Sequence, residues 1–206
     1  MKKIPTLFVR EFENHRVAKV LPEVTPGFEW VLRGEGVPTV KIDGACCAII
    51  YGKFYKRYDA KKDKYGNQKL PPSGAIPCCD PDPVTGHWPH WVLVDGNDPA
   101  DKWFIEARQY SEALDGDFKL PNGTYEAVGK HFNSNPYGIK EDLLIRHGEQ
   151  IIGNLARSFE GIREYLRDNL VEGIVFWKDG EPQCKIKRSD FGFEWPIKNL
   201  KNRGDS

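Results

Sequence analysis

The 206-residue sequence has no excess of charge. Thirty basic residues face thirty acidic ones, which removes the whole-chain basic signature of a protein held to nucleic acid by charge alone. It also lacks a long apolar run. The patch within Met1 to Val9 is broken by Pro5 and ended by Arg10 and Glu11, too short for a signal-peptide core, and no later run approaches a membrane span. A disulfide framework is missing as well: Cys46-Cys47, Cys78-Cys79 and Cys184 are an odd count without framework spacing, which fits reduced thiols. Repeats and low-complexity tracts are absent. Together these absences argue against membrane partners and predict a reducing, intracellular setting, cytoplasmic or nuclear.

What is present suffices for a packed core. Six Trp, eight Tyr and eleven Phe supply apolar area for one large domain or two small ones, and a single domain over 1–206 is expected. Charge is segregated locally. Lys53 to Lys69 holds seven basic residues against Asp59 and Asp63, whereas Asp80 to Asp101 holds five acids and no Lys or Arg. Such a basic stretch is a solvated hairpin or a track for a phosphate backbone. Residues 60–100 are rich in proline, which forbids helix and predicts a loop-rich excursion. Within it Cys78, Cys79, His87 and His90 form a C-C-x7-H-x2-H cluster, a candidate zinc site without the C-x-x-C knuckle usual for structural zinc.

The pattern predicts short strands near Thr6 to Phe8 and Trp30 to Leu32. Val40 to Tyr51 is apolar on both alternating faces and reads as one central strand covered on both sides. A turn at Gly52-Lys53 returns Lys53 to Tyr58 as its antiparallel partner. Trp103 to Leu114 reads as a short helix, Thr124 to Lys130 as a strand carrying Glu126, and Asp142 to Arg146 as a further strand. Apolar residues at spacings of three and four predict a helix over Asn154 to Leu170. Val171 to Trp177 follows as a strand with Glu172. After the Asp179-Gly180 turn, Lys185 and Lys187 alternate onto one strand face.

Lys41, in Val40-Lys41-Ile42-Asp43-Gly44, is the candidate nucleophile. A lysine amine attacks only when unprotonated, so covalent chemistry requires a partly desolvated, cation-rich surrounding. Gly44 leaves room for close approach by backbone or ligand. One lysine nucleophile, two carboxylates on separate strands and two further lysines on one strand face suit attack on a polyphosphate.

The ordered set Lys41-Ile42-Asp43-Gly44, Arg57, Tyr125-Glu126-Ala127-Val128-Gly129, Glu172-Gly173-Ile174-Val175 and Lys185-Ile186-Lys187 resembles motifs I, Ia, III, IV and V of covalent nucleotidyltransferases. That superfamily comprises ATP-dependent DNA and RNA ligases and mRNA capping enzymes. Lys41 through Cys47, the stretch Asp80 to Pro89, and Lys-Ile-Lys followed by Asp190-Phe191-Gly192 resemble the RNA ligase 1 family, ATP-dependent RNA ligases of animals and viruses.

The resemblance implies an α+β nucleotidyltransferase domain, an ATP-grasp-like ligase fold with antiparallel sheets caging the nucleotide and helices outside. It implies that Lys41 carries AMP, Asp43 orients the lysine and the ribose side, Gly44 leaves room, and Arg57 contacts ribose or substrate phosphate. Glu126 would accept from the ribose hydroxyls, Glu172 would hold Mg2+ or Mn2+, and Lys185 and Lys187 would bind the α-phosphate. Leu143 to Arg146 would wall the adenine. The implied partners are RNA ends bearing a 5′-phosphate and a 3′-hydroxyl, in the host-cell cytoplasm for a viral protein. Fewer than 20 residues follow Lys187, where the superfamily usually carries another domain, often an OB fold. No separate C-terminal OB domain is therefore expected, and an accessory RNA-binding partner becomes an expectation. DNA joining, GTP-dependent capping and a non-catalytic RNA-binding module are the alternatives.

Overall fold

The computed structural model describes residues 3–13, 16–83, 85–116 and 118–196, with the side chains of 16–18 left aside. Val84, within the Asp80–Pro89 stretch, and residues 197–206 lie outside the described residues. The fold is α+β, with mostly antiparallel sheets and few helices. In chain order the elements are β1 (Phe8–Glu13), β2 (Arg16–Val24), α1 (Glu29–Leu32), β3 (Val37–Lys41), β4 (Ala45–Ile50), β5 (Lys53–Ala60), β6 (Ile76–Pro77) and β7 (Trp88–Leu93). There follow α2 (Lys102–Leu114), β8 (Gly123–Val128), β9 (Leu143–Arg146), α3 (Phe159–Asp168), β10 (Gly173–Lys178) and β11 (Glu181–Lys187). None of the described helices is long and apolar enough to cross a membrane.

The elements form two compact units. One comprises Asp43–His147 with the described part of Met1–Lys3; the other comprises Ile4–Ile42 and the described part of Gly148–Ser206.

The first unit is built on a six-stranded sheet of order β6-β7-β5-β4-β8-β9, antiparallel throughout. Its middle strand, β4, buries both faces because successive side chains alternate. Cys47 and Ile49 pack with Phe54, Tyr125 and the α2 residue Ala107 on one face. Ala48 packs with Tyr55 and Trp91 on the other, where Cys46 and Ile50 join it. Ser111 ties α2 to the sheet edge, its hydroxyl accepting from the Leu144 N–H at 2.8 Å.

The second unit holds a three-stranded antiparallel sheet of order β11-β10-β3 and a β1-β2 hairpin. Ile174, Phe176, Cys184 and Ile186 point inward and join Leu7, Phe8, Val31, Ile162 and Leu166 in one core. Both edges of this sheet are covered, which blocks edge-to-edge association. Leu7 N–H donates to the Lys185 carbonyl at 2.8 Å and Lys185 N–H to that of Pro5 at 3.0 Å. On the β3 side, Val40 N–H donates to Gln150 at 2.9 Å and Ile152 N–H to Pro38 at 2.9 Å. Helix α3 is capped by Ser158, whose hydroxyl accepts from Gly161 N–H at 3.0 Å. At its other end the buried Arg188 guanidinium donates to the carbonyls of Leu166, Arg167 and Asn169, satisfying acceptors that the helix leaves unpaired.

Several sequence expectations are corrected. Val40 to Tyr51 is two strands in two different sheets, broken at Ile42-Asp43-Gly44. Trp30 to Leu32 is the one-turn helix α1, because hydrogen bonds from Val31 to Phe28 and from Gly34 to Val31 curl the chain. The proline-rich excursion contributes a full strand, β7, paired with β5 over six residues; its proline, Pro89, lies near the strand start. The helix expected from Asn154 begins only after Ser158, since Asn154 has a positive φ of 54°, and Glu172 sits just ahead of β10 rather than within it.

Candidate active site

Strand register in the second unit lines up the charged residues. Gly173 at the head of β10 lies opposite Lys41 at the end of β3 on one side and Lys187 at the end of β11 on the other. Residues directly opposite share a face, so Lys41, Lys185 and Lys187 project together while Ile174 and Ile186 fill the core. Gly173 must be glycine here: a Cβ would lie 2.3 Å from the Ile186 carbonyl oxygen.

Glu172, 5% exposed, is shared between two lysines. Its Oε2 pairs with Lys41 Nζ and its Oε1 with Lys187 Nζ, the latter at 2.5 Å. Burial pushes the Lys185 amine down to about 8, and the charges of Lys41 and Lys187 push the same way. Arg10, on β1, donates from Nη2 to Asp190 Oδ1 at 2.7 Å, while Asp190 Oδ2 accepts the Lys187 N–H at 2.8 Å. Four cations, Arg10, Lys41, Lys185 and Lys187, thus surround two buried carboxylates. With cations outnumbering carboxylates, such a cluster can receive a polyanion.

Lys185 is charged against its surroundings, which has a stability consequence. Its folded pKa lies below the ordinary 10.5, so the cost is fully present below about pH 8 and shrinks as pH rises toward the unfolded value. Lys185→Met is expected to stabilise the protein at pH 7 by up to ~3 kcal/mol, with the gain fading between pH 8 and 10.5. Urea unfolding across that range measures it.

The first unit holds a second group. Glu126 lies in the middle of β8, opposite Cys46 and Ile145, and is 9% exposed. Its Oε1 accepts the Gly44 N–H at 3.2 Å, and its Oε2 lies 2.8 Å from His147 Nε2. His147 Nδ1 lies 3.0 Å from the Thr124 hydroxyl, so the ring bridges Thr124 and Glu126. Asp43 donates its N–H to Tyr137 Oη at 2.7 Å, and its carboxylate accepts from Asn133 Nδ2 at 3.0 Å. Arg57 donates to Asp59 Oδ1 at 2.8 Å, and His87 approaches the other Asp59 oxygen at 3.2 Å. Burial works against the Asp59 charge, yet Arg57 and His87 outweigh it and hold the carboxyl below its ordinary range.

The structure therefore gathers Lys41, Glu172, Lys185 and Lys187 in one unit, and Asp43, Gly44 and Glu126 in the other. Arg57 is engaged with Asp59 and lies beside Cys46. His147, Asn133 and Tyr137 escaped the sequence reading, as did Arg10, because each meets its partner across a long stretch of chain that no local pattern encodes. The zinc candidate does not assemble: His90 Nδ1 lies 2.9 Å from the Trp88 carbonyl and His87 approaches Asp59. Among the described residues no three of His, Cys, Asp or Glu are grouped to hold a metal ion.

No family model matches the chain. It is 25% identical to RNA ligase 1 of Pongo abelii, with 95% of this chain and 82% of that protein covered. It is 24% identical to RNA ligase 1 of Rattus norvegicus over the same shares, and 28% identical to RNA ligase 1 of Danio rerio over 54% of this chain and 43% of that one. The expected resemblance to RNA ligase 1 proteins is borne out across nearly the whole sequence.

Proposed function

We propose that the chain is an ATP-dependent 5′-to-3′ RNA ligase working through a lysyl-AMP intermediate in a nucleotidyltransferase fold. The observation that carries this is the alignment of Lys41, Lys185 and Lys187 on one face around buried Glu172. The similarity to proteins named RNA ligase 1 supports RNA as substrate.

Lys41 is engaged with Glu172, so its amine must exchange that partner and lose a proton before it can attack. Attack on the α-phosphorus of ATP then forms a P–N bond, breaks the α–β P–O bond and releases pyrophosphate. Lys185, and Lys187 once it has exchanged Glu172, hold the α-phosphate oxygens where charge builds. Glu172, the buried carboxylate between the lysines, would hold a Mg2+ or Mn2+ ion once Lys41 and Lys187 turn to the nucleotide, since such an ion needs only one or two protein carboxylates. When bound, the ion neutralises phosphate charge. Glu126, oriented by His147 and the Gly44 N–H, accepts from the ribose hydroxyls, and Asp43 fixes the chain beyond the nucleophile. Arg57 contacts ribose or substrate phosphate after exchanging Asp59. AMP then passes to an RNA 5′-phosphate, and a 3′-hydroxyl displaces it to form the phosphodiester.

The test is labelling with radioactive ATP or GTP, followed by transfer to nicked RNA or nicked DNA. Label from ATP and sealing of RNA are expected. Labelling by GTP alone overturns the ATP assignment, and sealing of DNA alone overturns the RNA assignment.

A further inference from the structure

The basic stretch after β5 folds into a small hairpin in the first unit. Lys62 bridges Gln68, and Lys69 N–H donates to the Lys61 carbonyl at 3.1 Å. Asp63, the acid of the tip, is engaged within the turn itself. Its Oδ1 accepts the N–H groups of Tyr65 and Asn67 at 2.8 and 2.9 Å, and its Oδ2 accepts from Asn67 Nδ2 at 3.2 Å. Those backbone bonds hold its carboxyl below the ordinary range. The other acid of the stretch, Asp59, is taken up by Arg57 and His87. Both acids are therefore engaged by neighbouring groups of their own unit.

What remains outward is cationic and aromatic. Lys61, Lys62, Lys64 and Lys69 are exposed, and Lys61, Lys62 and Lys64 form no ion pair among the described residues. Tyr65 is 76% exposed, with Lys64 Nζ 4.9 Å from its ring centre. An exposed ring flanked by lysines on a preformed turn matches what a single-stranded nucleic acid requires, phosphate contacts along the backbone and a flat surface for a base.

We propose that the 61–69 hairpin is a docking surface for single-stranded RNA, its lysines contacting phosphates and Tyr65 stacking on a base. That the strand is RNA rests on the ligase reading; the surface itself rests on the hairpin.

The experiment is fluorescence anisotropy of the full chain with a labelled 5′-phosphorylated oligouridylate of about a dozen nucleotides, over a range of salt. Joint replacement of Lys61, Lys64 and Lys69 by alanine is expected to weaken binding and to flatten the dependence of log affinity on log salt by about 2. Tyr65→Ala is expected to weaken binding by roughly 5- to 100-fold with the salt dependence unchanged, while Tyr65→Phe retains affinity. Adduct formation with ATP is measured on the same preparations and is expected to be unaffected by these variants. Unchanged affinity and slope in the lysine variant, or unchanged affinity in Tyr65→Ala, overturns the proposal. Failure of every preparation, the parent included, to form an adduct overturns the ligase reading instead and leaves the binding result to be judged separately.

Discussion

Glu172→Gln is expected to reduce self-adenylation by at least about 100-fold while leaving a folded protein. The substitution keeps the shape, removes one charge and turns one of the two oxygens that accept from Lys41 and Lys187 into an NH2 donor. Glu172 holds Lys41 and Lys187 at once. Without its charge, Lys41, Lys185 and Lys187 repel one another in a half-buried cluster, and the amine of Lys41 loses the contact that fixes it on the β3 edge. The carboxylate proposed for the metal disappears as well. Stability is expected to fall by about 3 kcal/mol, since breaking a buried pair strands its partners. Circular dichroism and urea unfolding separate that loss from the chemical one, and Lys187→Met, which removes one repelling cation, is expected to restore part of the stability without restoring adduct formation.

Gly44→Ala is expected to have the largest structural effect. A Cβ at this position would lie 2.2 Å from the Ala127 carbonyl oxygen, with Val128 and Glu126 side-chain atoms within 2.9 Å. The first of these is backbone near the end of β8, which cannot turn aside as a flexible side chain can. Accommodation requires β4 and β8 to separate, at ~3 kcal/mol or more. Separation also pulls the Gly44 N–H from Glu126 Oε1 and so disturbs the carboxylate proposed for ribose. The expected result is a lowered urea midpoint and a weakened apparent affinity for ATP, greater than the effect of alanine at Gly96, where a Cβ meets nothing within 4 Å.

The chemistry-bearing elements were legible in the sequence where one strand encodes them. Lys185-Ile186-Lys187 announces two lysines on one face and an apolar residue on the other, and Ile186 is fully buried. Glu126 reads as a carboxylate within a strand, and Gly44 as a place of close approach; the approaching group is the β8 backbone. The break at Ile42-Asp43-Gly44 was not legible, because an apolar run does not say to which sheet its halves belong. Trp30 to Leu32 carries strand-forming residues, yet turn hydrogen bonds override that propensity. β7 was hidden by prolines whose cost depends on position. His147 and Arg10 illustrate the remaining limit. One finds its carboxylate 21 residues away and the other 180, and no periodicity reports such a meeting.

The most direct measurement is intact-protein mass spectrometry before and after incubation with ATP and Mg2+ or Mn2+, followed by peptide mapping. A mass gain of one AMP is expected, mapped to Lys41 and absent in Lys41→Ala. No adduct with either metal ion, or an adduct that persists in Lys41→Ala, would contradict the assignment of Lys41 as the nucleophile.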